Sequence, residues 1–317
     1  MIINAVGAVL SIFFMIGIGV FIYWRKWIDR QGASVFAKIV INVALPANVI
    51  YSFLTKFEKS LVLESGIYLL VAVLASVMTY FISIGISILF KVDKSRRGIF
   101  SVLFSFSNSV FIGFPVAQAL FGDSGMLYAV LFYIVNTTMF WTLGYSGIRR
   151  DGERIKGTGE NLILWDVLKK LINIPLISIL LGFLLVITDI TLPLNVISTL
   201  KYISGLTSPL SLIFTGIVLA DIGLKKLKFE MDVLKVMLGR FLIAPLAMFL
   251  MTFLFKIDGL GQQVFIVQMT LPVMLQSVIM AEYYGADTEF AAKSFAWTTI
   301  ASLISIPCYM IIINILF

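Results

Sequence analysis

Long apolar runs separated by short polar turns dominate the chain. Ten runs have about the 20 residues that a helix needs to cross a bilayer: 3–24, 34–54, 64–90, 98–121, 125–146, 167–188, 195–220, 231–255, 263–284 and 288–316. This pattern predicts ten transmembrane helices. The one sizeable polar linker, 147–165, separates residues 1–146 from residues 166–317 and leaves five predicted helices on each side.

The composition predicts an all-α, polytopic membrane protein. Of the 317 residues, 60% are hydrophobic and only 13% are charged, which is too apolar for a soluble protein of this size. The chain has no histidine and a single cysteine, Cys308. We therefore expect no metal site, no cofactor and no catalytic activity, since histidine is the commonest metal ligand and general base. The basic residues lie between the spans, so no nucleic-acid partner is predicted.

The distribution of basic residues predicts the orientation in the cell membrane. Positive charges concentrate on the cytoplasmic side of membrane proteins. If the N-terminus is outside, every basic residue falls on the inner side, Arg240 included, except for four: Lys56, Lys59, Lys201 and Lys256. We therefore predict that both termini lie outside and that the 147–165 linker is cytoplasmic.

The fourth span, 98–121, is interrupted at its centre. Asn108, Ser109, Gly113 and Pro115 lie there, and a proline disrupts a continuous helix. Backbone freed by such a break must face protein or a water-filled cavity, because lipid cannot hydrogen-bond it. We expect a second half-helix to start near Phe114, with Pro115 as its first residue and its amides directed at the membrane centre. The alternative is a proline kink packed against a neighbouring helix.

The ninth span, 263–284, has a similar break. Gln268, Thr270 and Pro272 surround it, Gln276 follows one turn later, and Pro272 is predicted to start a half-helix. Two helices that cross at their breaks form the substrate site of many secondary transporters. The helix N-termini would hold a carboxylate, since no basic side chain lies in the middle of either span. The alternative is two independent kinks, with amide side chains bonding between helices.

The two halves resemble repeats. A shift of 163 positions places Pro46 on Pro209 and Gly122 on Gly285. Because five helices is an odd number, the second copy would be inverted in the membrane. Aligning Pro115 with Pro272 needs a shift of 157 instead, so the strict equivalence of the two breaks stays open.

Other polar residues in the spans are candidates for the site or for coupling. Asn42 and Asn48 flank Pro46 in the second span, and Asn136 lies in the fifth; for each, packing is as good an explanation as substrate binding. The carboxylates of Asp221 and Glu282 lie near span ends. Ionisable residues in membrane segments are candidates for coupling or gating, although solvated helix ends account for them equally well.

Three stretches carry a resemblance to a known family: INVALPANVIYSF in span 2, SNSVFIGFPVAQALFGDSG in span 4, and MTLPVMLQSVIMAEYYGADTEFAAKSFAWTTIASLISIP across spans 9 and 10. In these the chain resembles the auxin efflux carrier family, whose bacterial members include malate and malonate permeases and whose plant members carry auxin. The resemblance implies two inverted five-helix repeats with broken, crossing helices 4 and 9, as in sodium/proton antiporters and bile-acid symporters. It also implies interleaved scaffold and transport subdomains, a homodimer, and a crossover formed by Asn108, Pro115 and Pro272.

These features together predict a secondary transporter that moves small organic anions by alternating access. The family resemblance implies malate, malonate or auxin-like acids as substrates and an elevator-type mechanism. The alternative is a passive anion channel, which would more often show rings of charge along a pore. Coupling to Na⁺ or H⁺ stays open, because broken-helix carbonyls can bind Na⁺ without a diagnostic motif.

Overall fold

The computed structural model describes residues 2–56, 59–156, 174–223, 228–257 and 259–316. This part of the chain is helical and contains no strand, only an isolated antiparallel bridge between Ser107 and Val273. The helices are α1 (Ile2–Trp24), α2 (Arg30–Ile39), α3 (Leu45–Lys56), α4 (Lys59–Leu89), α5 (Arg97–Ser105), α6 (Phe114–Met139), α7 (Tyr145–Lys156), α8 (Ile174–Ile187), α9 (Leu194–Ser204), α10 (Thr207–Ile222), α11 (Met231–Leu238), α12 (Ala244–Leu254), α13 (Gly259–Met269), α14 (Leu275–Tyr284) and α15 (Thr288–Leu316).

The predicted all-α membrane class is confirmed. Six described segments are long and apolar enough to cross a membrane: Arg30–Thr55, Ser65–Leu89, Ser109–Lys156, Leu194–Ile222, Met231–Leu254 and Thr288–Ile315. The predicted spans 98–121 and 263–284 are both broken, as expected. The end of the linker and the start of the predicted span 167–188 lie outside the described residues. The ten-helix inverted repeat, the division at 147–165 and the orientation of the termini stay predictions.

Helix α6 contains a turn at Gly122. This glycine has a φ of 64° and a ψ of −160°, a left-handed φ that side chains with a Cβ rarely adopt. Two helices are therefore joined there without an intervening loop. The turn falls in the gap that the hydrophobic pattern leaves between the predicted spans 98–121 and 125–146.

Four π-helical segments widen the helices in the described part of the chain: Val40–Ala44, Ser109–Gly113, Phe140–Gly144 and Gly239–Ile243. Pro46, Pro115 and Pro245 each lie two residues beyond the end of one of these segments. A proline ring clashes with the carbonyl four residues earlier, and in all three cases that carbonyl belongs to the π-helical segment. The widened turn relieves the clash. The carbonyl of Phe241, freed in this way, accepts a hydrogen bond of 2.6 Å from the Tyr309 hydroxyl.

The chain forms two compact units, each drawn from both halves of the sequence. Unit 1 comprises Met1–Tyr68, Val110–Leu131 and Ile172–Leu224. Unit 2 comprises Leu69–Ser109, Phe132–Leu171 and Lys225–Phe317.

Small residues allow close helix contacts inside each unit. In unit 1, Gly19 of α1 lies against Gly216 of α10, and a Cβ at either glycine would meet the partner helix backbone. In unit 2, a Cβ on Gly98 of α5 would meet the backbone of Gly147 in α7. Such contacts bring helices together where lipid provides little hydrophobic drive for association. Unit 2 contains both helix breaks, and its packing therefore positions the candidate site.

Candidate functional site

The two broken segments meet in unit 2 as a short antiparallel pair. Helix α5 ends at Ser105, and Phe106 has an extended backbone with φ −103° and ψ 133°. The N–H of Asn108 donates to the carbonyl oxygen of Pro272 at 2.9 Å, and the N–H of Met274 donates to that of Phe106 at 3.2 Å. Each break thus satisfies backbone groups of the other, as an irregular backbone in a membrane protein requires. We call residues 106–109 and 271–274 the crossover.

Asn136 fastens the first half of the crossover. Its Oδ1 accepts from the N–H of Ser107 at 3.2 Å, and its Nδ2 donates to the Ser107 carbonyl at 2.9 Å. The same Nδ2 donates to Oγ of Ser109 at 3.2 Å. Its side chain is nearly completely buried. A side-chain amide that pairs with both backbone groups of one residue mimics a neighbouring strand, so Asn136 holds the extended backbone of the break.

The second half of the crossover is held by α15. The N–H of Val273 donates to Oγ1 of Thr298 at 3.1 Å, while that hydroxyl donates to the Ser294 carbonyl at 2.7 Å. Thr298 is completely buried. The Thr298 hydroxyl therefore accepts from the Val273 N–H in place of the backbone carbonyl that would accept in a continuous helix.

Of the two predicted helix starts, the one near Phe114 is confirmed and the one at Pro272 is wrong. Regular α-helix begins at Phe114, as expected, but helical backbone already begins with the π-helical segment at Ser109, so Pro115 is not the first helical residue. Helix α14 begins at Leu275 rather than at Pro272. Pro272 lies in the extended break and contributes its carbonyl to Asn108. Pairing between the two breaks explains the later start of α14, because it keeps residues 271–274 extended over a length that no local signal sets.

Arg240 lies against the crossover and is completely buried. Its Nη1 donates to the carbonyl of Ser105, the last residue of α5, at 2.7 Å. Its Nη2 donates at 2.8 Å to the carbonyl of Met269, the last residue of α13. The carbonyl of Leu271 accepts from Nη2 at 3.0 Å and from Nε at 3.1 Å. One guanidinium therefore caps both half-helices that lead into the crossover, where a cation complements the partial negative charge of helix C-termini.

Because neither broken span has a basic residue in its middle, the sequence predicts that no basic side chain lies near the breaks. This prediction is wrong, because Arg240 comes from another helix. The charge distribution predicts an inner-side position for Arg240, whereas the structure buries it against the crossover. Its position in the middle of the apolar run 231–255 is the signal that could have identified it, since an arginine inside a membrane segment is a functional candidate. The π-helical segment Gly239–Ile243 carries it, and Gly239 packs on the ring of Phe104.

Arg240 has carbonyl partners but no acidic partner. Among the described residues, no carboxylate forms an ion pair with its guanidinium. A buried charge without a counter-ion is costly. The four hydrogen bonds from Arg240 to carbonyl oxygens offset this cost only in part. The region around the crossover therefore carries a positive charge that no carboxylate of the described residues neutralises, which favours a bound anion.

A pair of broken segments that cross in a helical membrane protein is typical of transporters, and comparison with known proteins agrees. The family model described as membrane transport protein, that of the auxin efflux carriers, matches residues 4–310. The chain belongs to the auxin efflux carrier family. An uncharacterized transporter of Methanocaldococcus jannaschii is 26% identical over 309 residues, which cover 95% of this chain and 96% of that one.

Two further relatives of this auxin efflux carrier family member align over nearly their full lengths. An uncharacterized transporter of Methanothermobacter thermautotrophicus is 25% identical over 311 residues, 96% of this chain and 97% of its own. The uncharacterized transporter YfdV of Escherichia coli is 22% identical over 314 residues, 96% of each chain. The protein is therefore a membrane transporter.

The transporter's other predicted site residues divide between the two units. Gln268 and Thr270 are buried at the end of α13 in unit 2, and Gln276 is partly exposed in the first turn of α14. Unit 1 contains the rest: Asn42, Asn48, Gly113 and Pro115.

The predicted residues of unit 1 have different surroundings. Asn42 is exposed, whereas Asn48 is half-buried and its Oδ1 accepts from the Ser52 hydroxyl at 3.4 Å. Gly113 and Pro115 are buried. The structure therefore brings together Asn108, Ser109, Asn136 and Pro272, all in unit 2.

The two candidate coupling carboxylates differ in their surroundings. Asp221, in unit 1, accepts a hydrogen bond of 2.9 Å from the Tyr23 hydroxyl and forms an ion pair of 3.0 Å with Arg30. Glu282, in unit 2, is exposed near the end of α14. The contacts of Asp221 are those of a structural ion pair between α10, α1 and α2.

Proposed function

We propose that this transporter moves small organic anions across the cell membrane and binds them at the crossover. Carboxylates such as malate, malonate or auxin-like acids fit this proposal. The observation that carries it is Arg240, a completely buried cation that contacts the ends of both half-helices and has no acidic partner among the described residues. An anionic substrate would be the missing counter-ion.

Arg240 acts on the substrate mainly through its field. A guanidinium has five N–H donors, and four are engaged with the carbonyls of Ser105, Met269 and Leu271. At the low dielectric of a buried site its charge reaches further than it would in water. We therefore assign the direct contacts to the polar groups of the crossover, above all Asn108 and Ser109, with Gln268, Thr270 and Gln276 nearby in the sequence.

The hydrogen bonds of Arg240 also indicate which ion could be coupled to transport. Carbonyls at the ends of broken helices are the groups that bind a coupling Na⁺ in many transporters. Here the carbonyl oxygens of Ser105 and Met269 accept hydrogen bonds from Arg240. This favours coupling to H⁺, or uniport, over a Na⁺ bound between the two half-helices.

The two compact units support a division into a scaffold and a transport part. Unit 2 contains the whole of the crossover and its supports Asn136, Arg240 and Thr298. In an elevator mechanism, unit 2 would be the moving part, and unit 1 would be the scaffold through which a homodimer forms. We place both termini outside on the distribution of basic residues.

Counterflow in proteoliposomes tests this proposal against a passive channel. Thermal stabilisation screened over mono- and dicarboxylates, malate and malonate among them, first selects the ligand. A transporter should take up the radiolabelled ligand saturably, and unlabelled ligand on the opposite side should accelerate that uptake. Uptake that rises linearly with concentration and ignores the opposite side would identify a channel and refute alternating access.

A further inference from the structure

A cavity lies in unit 2 at the end of α5 opposite the crossover. The end of α4, the start of α5 and the end of α7 surround this cavity of about 420 Å³. Helix α5 enters the crossover through Ser105, whereas the cavity lies at its first residues, Arg97 and Gly98.

Positive charge dominates the walls of this cavity. Four basic side chains line it, Lys94, Arg97, Arg150 and Arg154, against a single carboxylate, that of Asp151. Of the four, only Arg154 forms an ion pair in the described chain, with Asp151 at 3.9 Å, while Arg97 also interacts electrostatically with the carboxylate of Asp93. The lining therefore has an excess of three positive charges, and Lys94 and Arg150 have no acidic partner among the described residues.

The carboxylate of Asp151 is engaged mainly by the backbone of α5. Its Oδ2 accepts from the N–H of Ile99 at 2.7 Å in the first turn of α5, where an acidic group complements the positive end of a helix. Its side chain is only 1% exposed, and Arg154 is its one ion-pair partner among the described residues. Lys94 and Arg150 are exposed and line the cavity without a counter-ion in the described part of the chain.

An apolar wall lies beside the charges. Ile84 and Ile88 of α4 line the cavity. Leu89, the last residue of α4, and Phe90, which follows it, are 73% and 56% exposed. In a membrane transporter, apolar surface of this kind at the end of a long helix contacts acyl chains. Basic side chains next to such a surface are typical of sites that bind acidic lipid headgroups.

We propose that this cavity binds a phosphate group, and that the headgroup of an anionic phospholipid supplies it. The phosphate would pair with Lys94, Arg97 and Arg150, and the acyl chains would follow α4 past Ile88. A free phosphate shares this chemistry but would not use the apolar wall. The proposal does not depend on which substrate the crossover binds.

Lipid titration of the purified, full-length transporter tests the site. Phosphatidylglycerol, phosphatidylcholine and inorganic phosphate are each titrated in detergent, and the bound molecules are counted by native mass spectrometry. We expect saturable binding of phosphatidylglycerol in preference to phosphatidylcholine. The double variant Lys94→Gln/Arg150→Gln should weaken it about 25-fold, since each basic residue near a surface contributes about fivefold.

A matched control removes two positive charges elsewhere. Lys38 and Lys201 are exposed and do not line the cavity, so Lys38→Gln/Lys201→Gln should bind phosphatidylglycerol as the wild type does. Should the first double variant fail to purify, Arg150→Gln alone should show a loss of about fivefold. Phosphate binding without a preference for phosphatidylglycerol would keep the site and replace its ligand by free phosphate. Equal binding of both lipids with no phosphate bound, or equal losses in the two double variants, would overturn the proposal.

Discussion

Arg240 and Leu271 are joined by two hydrogen bonds, from Nε at 3.1 Å and from Nη2 at 3.0 Å, to one carbonyl oxygen in the crossover. Leu271 directly precedes Pro272, whose own carbonyl accepts from Asn108. The guanidinium therefore supports the extended backbone of the second break at the point where it pairs with the first. It also leaves a positive charge there, so shape and charge of the candidate site depend on the same side chain.

Arg240→Met should abolish binding of the carboxylate that the ligand screen selects. The variant removes the positive charge and leaves three buried carbonyls without a donor, each of which costs about 1–3 kcal/mol. Arg240→Lys, which keeps the charge but not the planar fork, should retain part of the affinity. Binding by calorimetry and the thermal midpoint are measured for both variants. Arg25 is exposed, and Arg25→Met is the matched deletion of a positive charge. Unaltered affinity in folded Arg240→Met would contradict the anion site.

Asn108→Ala should reduce substrate affinity with little loss of stability. A hydrogen bond to a charged group contributes about 1.5–3 kcal/mol, or roughly 10- to 150-fold in affinity. The backbone bond from Asn108 to Pro272 survives this change, so the crossover should stay formed. Ligand titration of the purified variant gives the answer. If the variant binds like the wild type, Asn108 does not belong to the substrate site.

Asn136→Ala, unlike Asn108→Ala, should lower the thermal stability of the protein. Its side-chain amide holds both backbone groups of Ser107 and the hydroxyl of Ser109. Losing it leaves buried backbone groups unsatisfied, at about 1–3 kcal/mol for each. A fall in the thermal midpoint without any ligand present is the expected readout, measured beside Asn42→Ala, which removes an exposed amide. Equal midpoints for the two variants would show that Asn136 does not support the break.

Much of this arrangement could be predicted from the sequence. The lengths of the apolar runs predicted membrane helices, and Pro115, Pro272 and their polar neighbours marked where two of these helices break. The pairing of Ser107 with Val273 could not be predicted, because contacts between distant segments decide how long each break stays extended. Local signals place Pro272 at a helix start, and tertiary pairing overrides them.

Arg240 was missed for a different reason. A positive charge in a membrane protein usually belongs to a loop on the cytoplasmic side. The charge distribution alone therefore predicts an inner-side position for Arg240. Only the fold brings it to the carbonyls of Ser105 and Met269. The π-helical segments also escape sequence patterns, although the prolines two residues beyond three of them are a usable signal.

Cysteine labelling should show that the 147–165 linker is cytoplasmic. The exposed native thiol, Cys308, is first changed to Ser, and Thr158→Cys then places a reporter in the polar linker, outside the described residues. An impermeant thiol reagent added to intact cells should leave the reporter unmodified and should label it after the cells are opened. Labelling of intact cells would reverse the predicted orientation of both termini.

The wild type should prefer an ionised carboxylate to the corresponding uncharged amide. A hydrogen bond to a charged group exceeds one to a neutral group by about 1–1.5 kcal/mol, so we expect about a five- to tenfold preference. Affinity should fall as the pH drops through the pKa of the ligand itself, and no histidine titration adds to this, because the protein has no histidine.

Arg240→Gln connects this preference to the buried charge. It keeps a donor near Leu271 and removes the positive charge, so the preference for acid over amide should shrink while the affinity for the amide changes less. The measurement is a pair of titrations, acid and amide, for wild type and variant at several pH values. If the wild type binds acid and amide equally well, the charge at the crossover does not recognise the substrate. If Arg240→Gln keeps the full preference, a different group provides the positive potential, and the role assigned to Arg240 is wrong.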